Sequence, residues 1–247
     1  LLGKTLKPFI RVVILILLWS AVFRASGSET IGGLDKTFFY TYIIISMFLT
    51  STRSWWDMYE DTQRFIIRGA LTGVLSRPLS FYSVIMSRQV PYAVAEMLLL
   101  LPVFGGVIAG SALIGFQFFV PGIVHAFLFI VATLLSVVAA LTFYYGVCLA
   151  MFWFGDIWSL YGIFDGIESI FSGAMMPVTI QSTFNTVSYF LPFRHFVFTP
   201  VFIYLEKFSV IESVGQIGLQ IVWIVILWFI AGMIYRKGLQ KFDSQGG

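Results

Sequence analysis

The sequence predicts an all-α integral membrane protein with six transmembrane helices, and three observations lead there. Of its 247 residues, 59% are apolar and only 11% charged, where soluble domains carry about 25% charged residues; the mean hydropathy is +0.92. The apolar stretches are continuous and far longer than the ~10-residue alternating strands of a membrane barrel. No charged residue occurs between Glu96 and Asp156. The same composition excludes disorder, which needs low hydrophobicity and high net charge. At ~20 apolar residues per helical crossing, the length allows five to seven crossings and leaves no room for a soluble catalytic domain of ~100–150 residues. The net charge of +3 is small and its positive residues are clustered, which is not the broad basic footprint of a nucleic-acid binder. Cys148 is the one cysteine. It excludes an intrachain disulfide and a Cys-rich metal site, and its apolar neighbours predict a buried, inert thiol.

The elements follow in order. The first crossing covers about Leu6–Phe23, and Lys4, Lys7 and Arg11 precede its apolar run from Val12. A basic start and an apolar run fit a secretory signal too, but the many later spans favour a retained anchor. The chain opens on Leu1 rather than Met, so a short leading segment is expected to be missing. The second crossing spans about Phe38–Trp56. The third spans about Val90–Ala109 and is bent by Pro91 and Pro102. A turn near Gly110–Gln117 leads to a long fourth helix, about Pro121–Phe152. The fifth runs from about Asp156 to Met175, stopped by Pro177, and the sixth spans about Gln216–Tyr235. Between the last two, Val178–Lys207 is apolar and aromatic but broken by Pro192 and Pro200. It predicts a re-entrant hairpin or interfacial helices, which survive only when packed on protein or lining water. The end at Gln245-Gly246-Gly247 reads as a frayed tail.

Six crossings put both termini on one side. That side holds Lys4, Lys7, Arg11, Arg53, Arg64, Arg68, Arg77, Arg88, Arg236, Lys237 and Lys241. The other holds Arg24, Lys36, Arg194 and Lys207. The bias of basic residues toward the cytoplasm then predicts cytoplasmic termini, a cytoplasmic Arg53–Gln89 loop and an outward-facing hairpin.

In that loop, charges recur at Asp57, Glu60 with Asp61, Arg64 and Arg68, which is helical spacing. Trp56, Tyr59, Ile66 and Ile67 lie between them, so the segment is an amphipathic helix at the membrane surface. Trp55 and Trp56 suit the headgroup layer. Two readings stand: a surface helix with solvated charges, or a docking element for a cytoplasmic partner. In the fifth helix, Gly155, Gly162, Gly166 and Gly173 recur at offsets that form one stripe for helix packing, with Gly162 and Gly166 in a small-xxx-small motif. A second stripe of Tyr161, Asp165, Glu168 and Ser172 lies roughly 90–140° around the helix. Asp165 and Glu168 lie about 14–18 Å along the axis from Asp156, near mid-bilayer. Intramembrane carboxylates are costly and face a cavity or a partner. They either line a translocation route or pair with another helix or subunit. Glu96 in the third helix has the same two readings, as a cavity residue or as a partner of Arg68, Arg77 and Arg88. His125 and His195 lack metal-ligand spacing, and no metal site is expected. Gly3-Lys4-Thr5 lacks the glycine, strand and soluble domain of a phosphate-binding loop. No nucleophile elbow or Cys/His pair appears.

Two stretches resemble the ABC-2-type permeases of the bacterial ABC-2 family transporter group. Ile66-Ile67-Arg68-Gly69-Ala70-Leu71 with Val74-Leu75-Ser76-Arg77-Pro78-Leu79-Ser80 resembles the Arg-Pro-Leu-Ser stretch after that group's second helix. Gly173-Ala174-Met175-Met176-Pro177 followed by Leu191-Pro192-Phe193-Arg194-His195 and Thr199-Pro200 resembles its outer hairpin. The resemblance covers essentially the whole chain as a single transmembrane domain. Ile180-Gln181-Ser182-Thr183-Phe184 departs from it, where relatives carry an aromatic–Pro–x–Trp pattern. The resemblance implies an exporter permease in the bacterial cytoplasmic membrane, paired with a second copy or paralogue and with ABC nucleotide-binding subunits. Those partners would hold the ATP and Mg; this chain would hold no cofactor and would not itself be an enzyme. It implies coupling to the ATPase through Asp57, Glu60, Asp61, Arg64, Arg68 and Arg77. It implies a route lined by Tyr161, Asp165, Glu168, Ser172 and Glu96, and an outer gate at Pro177, Pro192, Phe193, Arg194 and Pro200. The cargo class is lipid-like, drug-like or otherwise amphipathic. The competing classes are an ATP-independent channel or secondary transporter, for which no inverted repeat is visible, and a membrane enzyme built on the acidic residues of the loop.

Overall fold

A computed structural model describes residues 2–27, 30–31, 34–52, 55–113, 117–180 and 182–244. Arg53, part of the turn expected near 110–117, and Gln181 lie outside the described residues, as do the side chains of Lys4, Lys7 and Arg11. Helix α1 spans Leu2–Ser26. A minimal antiparallel pair, β1 (Thr30–Ile31) and β2 (Leu34–Asp35), is the one departure from helix pairing among the described residues. Helix α2 spans Lys36–Ser51 and starts on the Asp35 carboxylate, which accepts the Phe38 amide at 2.7 Å. That is an ordinary N-cap, satisfying an otherwise orphaned donor. Then follow α3 (Trp55–Ile66), α4 (Thr72–Leu75) and α5 (Phe81–Leu113). Helix α6 spans Ile123–Cys148 and continues through a turn into α7, Met151–Phe154. Helix α8 spans Trp158–Phe171, α9 Ser182–Tyr189, α10 Phe198–Tyr204 and α11 Val210–Ser244. Two short 3-10 turns, Val178–Ile180 and Pro192–His195, lie between α8 and α10.

Among the described residues, three helical stretches are long and apolar enough to cross a membrane: Phe81–Gly110, Ile123–Phe154 and Val210–Phe242. The expected second and fifth crossings come out shorter. Helix α2 stops at Ser51, before Trp56, and α8 has 14 residues, about 21 Å of axis against a ~30 Å hydrocarbon core. The stop after α8 is physical. Ser172 caps the helix, and Gly173 takes a left-handed backbone (φ 81°) with no room for a Cβ beside the Tyr42 hydroxyl.

Helix α6 is the centre of the molecule. Its buried face is built from small residues, Ala132, Thr133, Ser136, Ala139 and Ala140, which let helices approach closely where no hydrophobic drive exists between them in lipid. Helices α11 and α10 pack along it. Two apolar clusters form at opposite ends. One gathers α2, the middle of α6 and residues Phe193–Leu205. The other gathers α3, the start of α5, the end of α6, α7 and the far part of α11.

The Pro-broken segment is buried from 192 to 203, while much of α9 is exposed; irregular backbone in a membrane must be packed on protein in this way. Pro177, Pro192, Phe193, Arg194 and Pro200 all lie inside. Tyr42 donates its hydroxyl to the Gly173 carbonyl (2.6 Å), and the Phe198 amide bonds the Ser172 carbonyl (2.9 Å). Gln220 of α11, fully buried, donates to the carbonyls of Ala132 and His195 at 3.1 and 2.9 Å. Arg194 bonds Asn185 (2.7 Å) and Ser188 (3.1 Å) and lies over the rings of Tyr189 and Phe198. At the close of α10, Glu206 adopts φ 53°, and its carboxylate accepts the Gly122 amide at 2.6 Å and sits 3.6 Å from His125.

Gln220 fastens α6, α11 and the hairpin with one side chain. Gln220→Leu removes both of these buried bonds and is expected to destabilise the protein by about 1–3 kcal/mol in detergent unfolding. An unchanged transition would show that the clip carries no stability.

Candidate functional site

The amphipathic segment forms α3, and its two faces separate cleanly. Met58, Tyr59, Thr62 and Ile66 are buried against α6 and α5, while Trp56, Glu60, Arg64 and Ile67 are exposed. The period of 3.6 residues produces this division from the sequence directly. Arg68, Leu75, Arg77 and Leu79 continue the exposed surface through α4 to the start of α5. The result is a firmly seated platform that presents basic and aliphatic side chains outward.

Three contacts seat it. Tyr59 donates its hydroxyl to the Asp156 carboxylate at 2.7 Å, and the same carboxylate oxygen accepts the Trp158 amide at 2.9 Å. The Trp158 ring packs edge-on against Trp56 and Tyr59. Asp61 takes a bond from Gln89 (2.9 Å) and an ion pair from Arg88 (3.2 Å) on α5. The Trp158 amide and the Tyr59 hydroxyl hold Asp156 below the usual carboxylate range, and burial, reinforced by Asp156, pushes Tyr59 up to about 12. Both shifts favour the bond seen. Asp156 contributes above the ordinary carboxylate range and loses this as pH falls through its lowered value. Tyr59 contributes below the ordinary phenol value and loses this as pH rises through about 12.

Of the six residues expected to couple, Glu60, Arg64, Arg68 and Arg77 are exposed on the platform. Asp57 and Asp61 turn inward instead. With Glu60, Arg88, Gln89 and Tyr92 they line a polar cleft of about 270 Å³ between α3 and α5. Arg88 is engaged by Asp61, and Glu96 sits half-buried farther along α5.

Helix α8 reverses its expected arrangement. Tyr161, Glu168 and Ser172 face inward, at 1%, 7% and 0% exposure. The Tyr144 hydroxyl of α6 donates to Glu168 at 2.7 Å, and the Tyr144 and Tyr161 rings stack with centroids 4.8 Å apart. Gly162 and Gly166 lie on the open face with Asp165, Ile163 and Ile170, and a Cβ at either glycine would meet nothing within 4 Å. Gly155 and Gly173 lie outside α8 and serve as left-handed turns at its two ends. The stripe of four glycines is therefore two turn residues and two residues of an uncovered face. Tyr161 and Glu168 pack against Tyr144 of α6, Ser172 is buried at the end of the helix, and Asp165 is exposed.

Sequence spacing could not reveal the Tyr59–Asp156 clamp, whose members stand 97 positions apart, nor the Tyr144–Glu168 bond. Tyr144 had no signal of its own among the many aromatic residues of α6. Among the described residues, no cluster of His, Cys, Asp and Glu could hold a metal ion.

A family model described as ABC-2 family transporter protein matches residues 9–246. No curated protein and no solved structure matches the chain.

Tyr59→Phe removes the clamp without changing ring packing. Amide hydrogen exchange over residues 55–66 is then expected to accelerate about five- to tenfold, as loss of a ~1–1.5 kcal/mol bond would give, while α6 keeps its protection. Unchanged exchange would show that Asp156 does not hold α3.

Proposed function

The chain belongs to the ABC-2 family of transporter proteins, a multi-pass membrane subunit rather than a catalyst, and from that premise we propose that it is the permease of an ATP-driven exporter. The reading has six crossings, α1, α2, α5, α6, α8 and α11, with cytoplasmic termini in a bacterial inner membrane. Lys/Arg asymmetry supports that orientation.

The observation that carries the reading is the platform. A motor in the cytoplasm can move helices only through a contact that does not itself yield. Helix α3 meets this need: one face is locked to α5 and α6, and the other offers Glu60, Arg64, Ile67 and Arg68, continued by Arg77 and Leu79. A nucleotide-binding subunit, carrying the ATP and Mg, docks there. Asp57 and Asp61 act from behind, by fixing α3 on α5. The open face of α8, with Gly162, Asp165 and Gly166, belongs to a second permease copy or to the route between the two. Glu168 and Tyr161 support that helix from its buried side. The segment from Pro177 to Pro200, with Phe193 and Arg194, closes the outer end. The exposed apolar surface of α5, α6 and α11 contacts membrane lipid, and the cargo is amphipathic.

Arg64→Glu combined with Arg68→Glu is expected to abolish co-purification of a soluble ATPase while leaving the permease folded by circular dichroism. Retention of the ATPase would end the docking assignment. Asp165→Asn is expected to lower substrate-stimulated ATP turnover several-fold with assembly intact, because an exposed carboxylate in a spanning helix is costly unless it serves a route; unchanged turnover would remove Asp165 from the route.

A further inference from the structure

A large groove formed by described residues lies away from the platform and from α8. It runs between α1 and α5 and encloses about 1150 Å³, above the ~300–1,000 Å³ of ordinary small-molecule pockets. Val12, Val13, Ile16, Leu17 and Ala21 form one wall, and Pro102, Val103, Gly106 and Val107 form much of the other. Helix α1 packs chiefly on α2, so it leans away from α5 and leaves the hollow. A Cβ at Gly106 or Gly110 would meet nothing within 4 Å; neither glycine is there to admit another helix of this chain.

The lining has one charged residue, Arg24, at the end of α1 nearest β1. Arg24 is exposed, and no described carboxylate forms an ion pair with it. Asp35, a described carboxylate that follows α1, is occupied in capping α2. Ser20, the other polar side chain of the wall, is bonded to Tyr40 at 2.8 Å. From Val12 to Ala25 the wall covers about 20 Å of helix, somewhat more than half of a ~30 Å hydrocarbon core. An occupant therefore needs an extended apolar body one leaflet long and one anionic end.

We propose that this groove seats an acyl chain of an anionic phospholipid drawn from the surrounding membrane, with the lipid phosphate at Arg24. A second copy of the chain would bring a helix of about 10–12 Å diameter, whose apolar surface offers Arg24 no anion. The site depends only on the chain lying in a bilayer. It is separate from the docking platform and from any cargo, and its failure would leave those readings untouched.

The test uses the full-length permease in phosphatidylcholine vesicles with chain-spin-labelled phosphatidylglycerol or phosphatidylcholine, reading the motionally restricted fraction. The wild type is expected to favour phosphatidylglycerol by about fivefold, the preference one basic residue near the surface gives. Arg24→Gln is expected to bring that ratio to one without reducing restricted phosphatidylcholine. Gly106→Leu, which fills open space, is expected to reduce the restricted fraction of both lipids. Equal restriction of the two lipids by the wild type, or a preference that survives Arg24→Gln, would overturn the site. So would efficient disulfide cross-linking of Leu17→Cys chains to one another, which would put a second copy in the groove.

Discussion

Irregular backbone packed among apolar helices must find its hydrogen-bond partners within the protein, and the architecture turns on how the buried residues 172–174 and 192–203 meet that demand. Pro177, Pro192 and Pro200 prevent a long helix there. The chain instead folds inward, and its loose carbonyls are taken up by Tyr42 from α2 and Gln220 from α11. Those bonds fix the hairpin to the helices around it. They also shorten α8, because the turn at Ser172 and Gly173 is where the inward path begins.

The consequence reaches the opposite end through α6. Its middle and early turns carry the hairpin, and its last turns, Tyr144 to Cys148, lie in the cluster with α3 and α7. The same helix thus touches both the buried residues 192–203 and α3, and α11 runs beside it for most of its length. Such an arrangement suits a permease that must relate an event at its inner surface to a rearrangement at its outer one. The Tyr144–Glu168 bond ties α8 into this frame and leaves only its other face, with Asp165, open.

Helical character, the membrane environment and the amphipathic division of α3 were legible in the sequence because each depends on local pattern. The 3.6-residue period set Tyr59 and Ile66 apart from Arg64 without tertiary information, whereas Trp56 and Ile67, read with the apolar set, lie exposed. The interruption of the Pro-broken segment was legible too, but not which part packs on protein: 192–203 is buried while Val187, Tyr189 and Phe190 are exposed. The faces of α8 were not legible. Glycine and carboxylate stripes were both visible, but which stripe turned inward depended on Tyr144, a residue of α6 that no spacing connects to Glu168. Gly155 and Gly173 resembled packing glycines by periodicity and proved to be turns, since helix ends are set by caps and backbone conformation rather than by period. Asp57 and Asp61 shared the charge pattern of the platform, yet α5 drew them inward with Arg88 and Gln89.

The central claim is that the surface of α3 and α4 faces the cytoplasm and is covered there by a separate motor. Its most direct test is labelling of an Ile67→Cys chain with a membrane-impermeant thiol reagent, with buried Cys148 as the silent background. The account predicts no labelling from outside intact cells, full labelling in inverted vesicles stripped of peripheral proteins, and protection when the ATPase subunit is restored. Labelling from outside the cell, or equal labelling with and without that subunit, would contradict it.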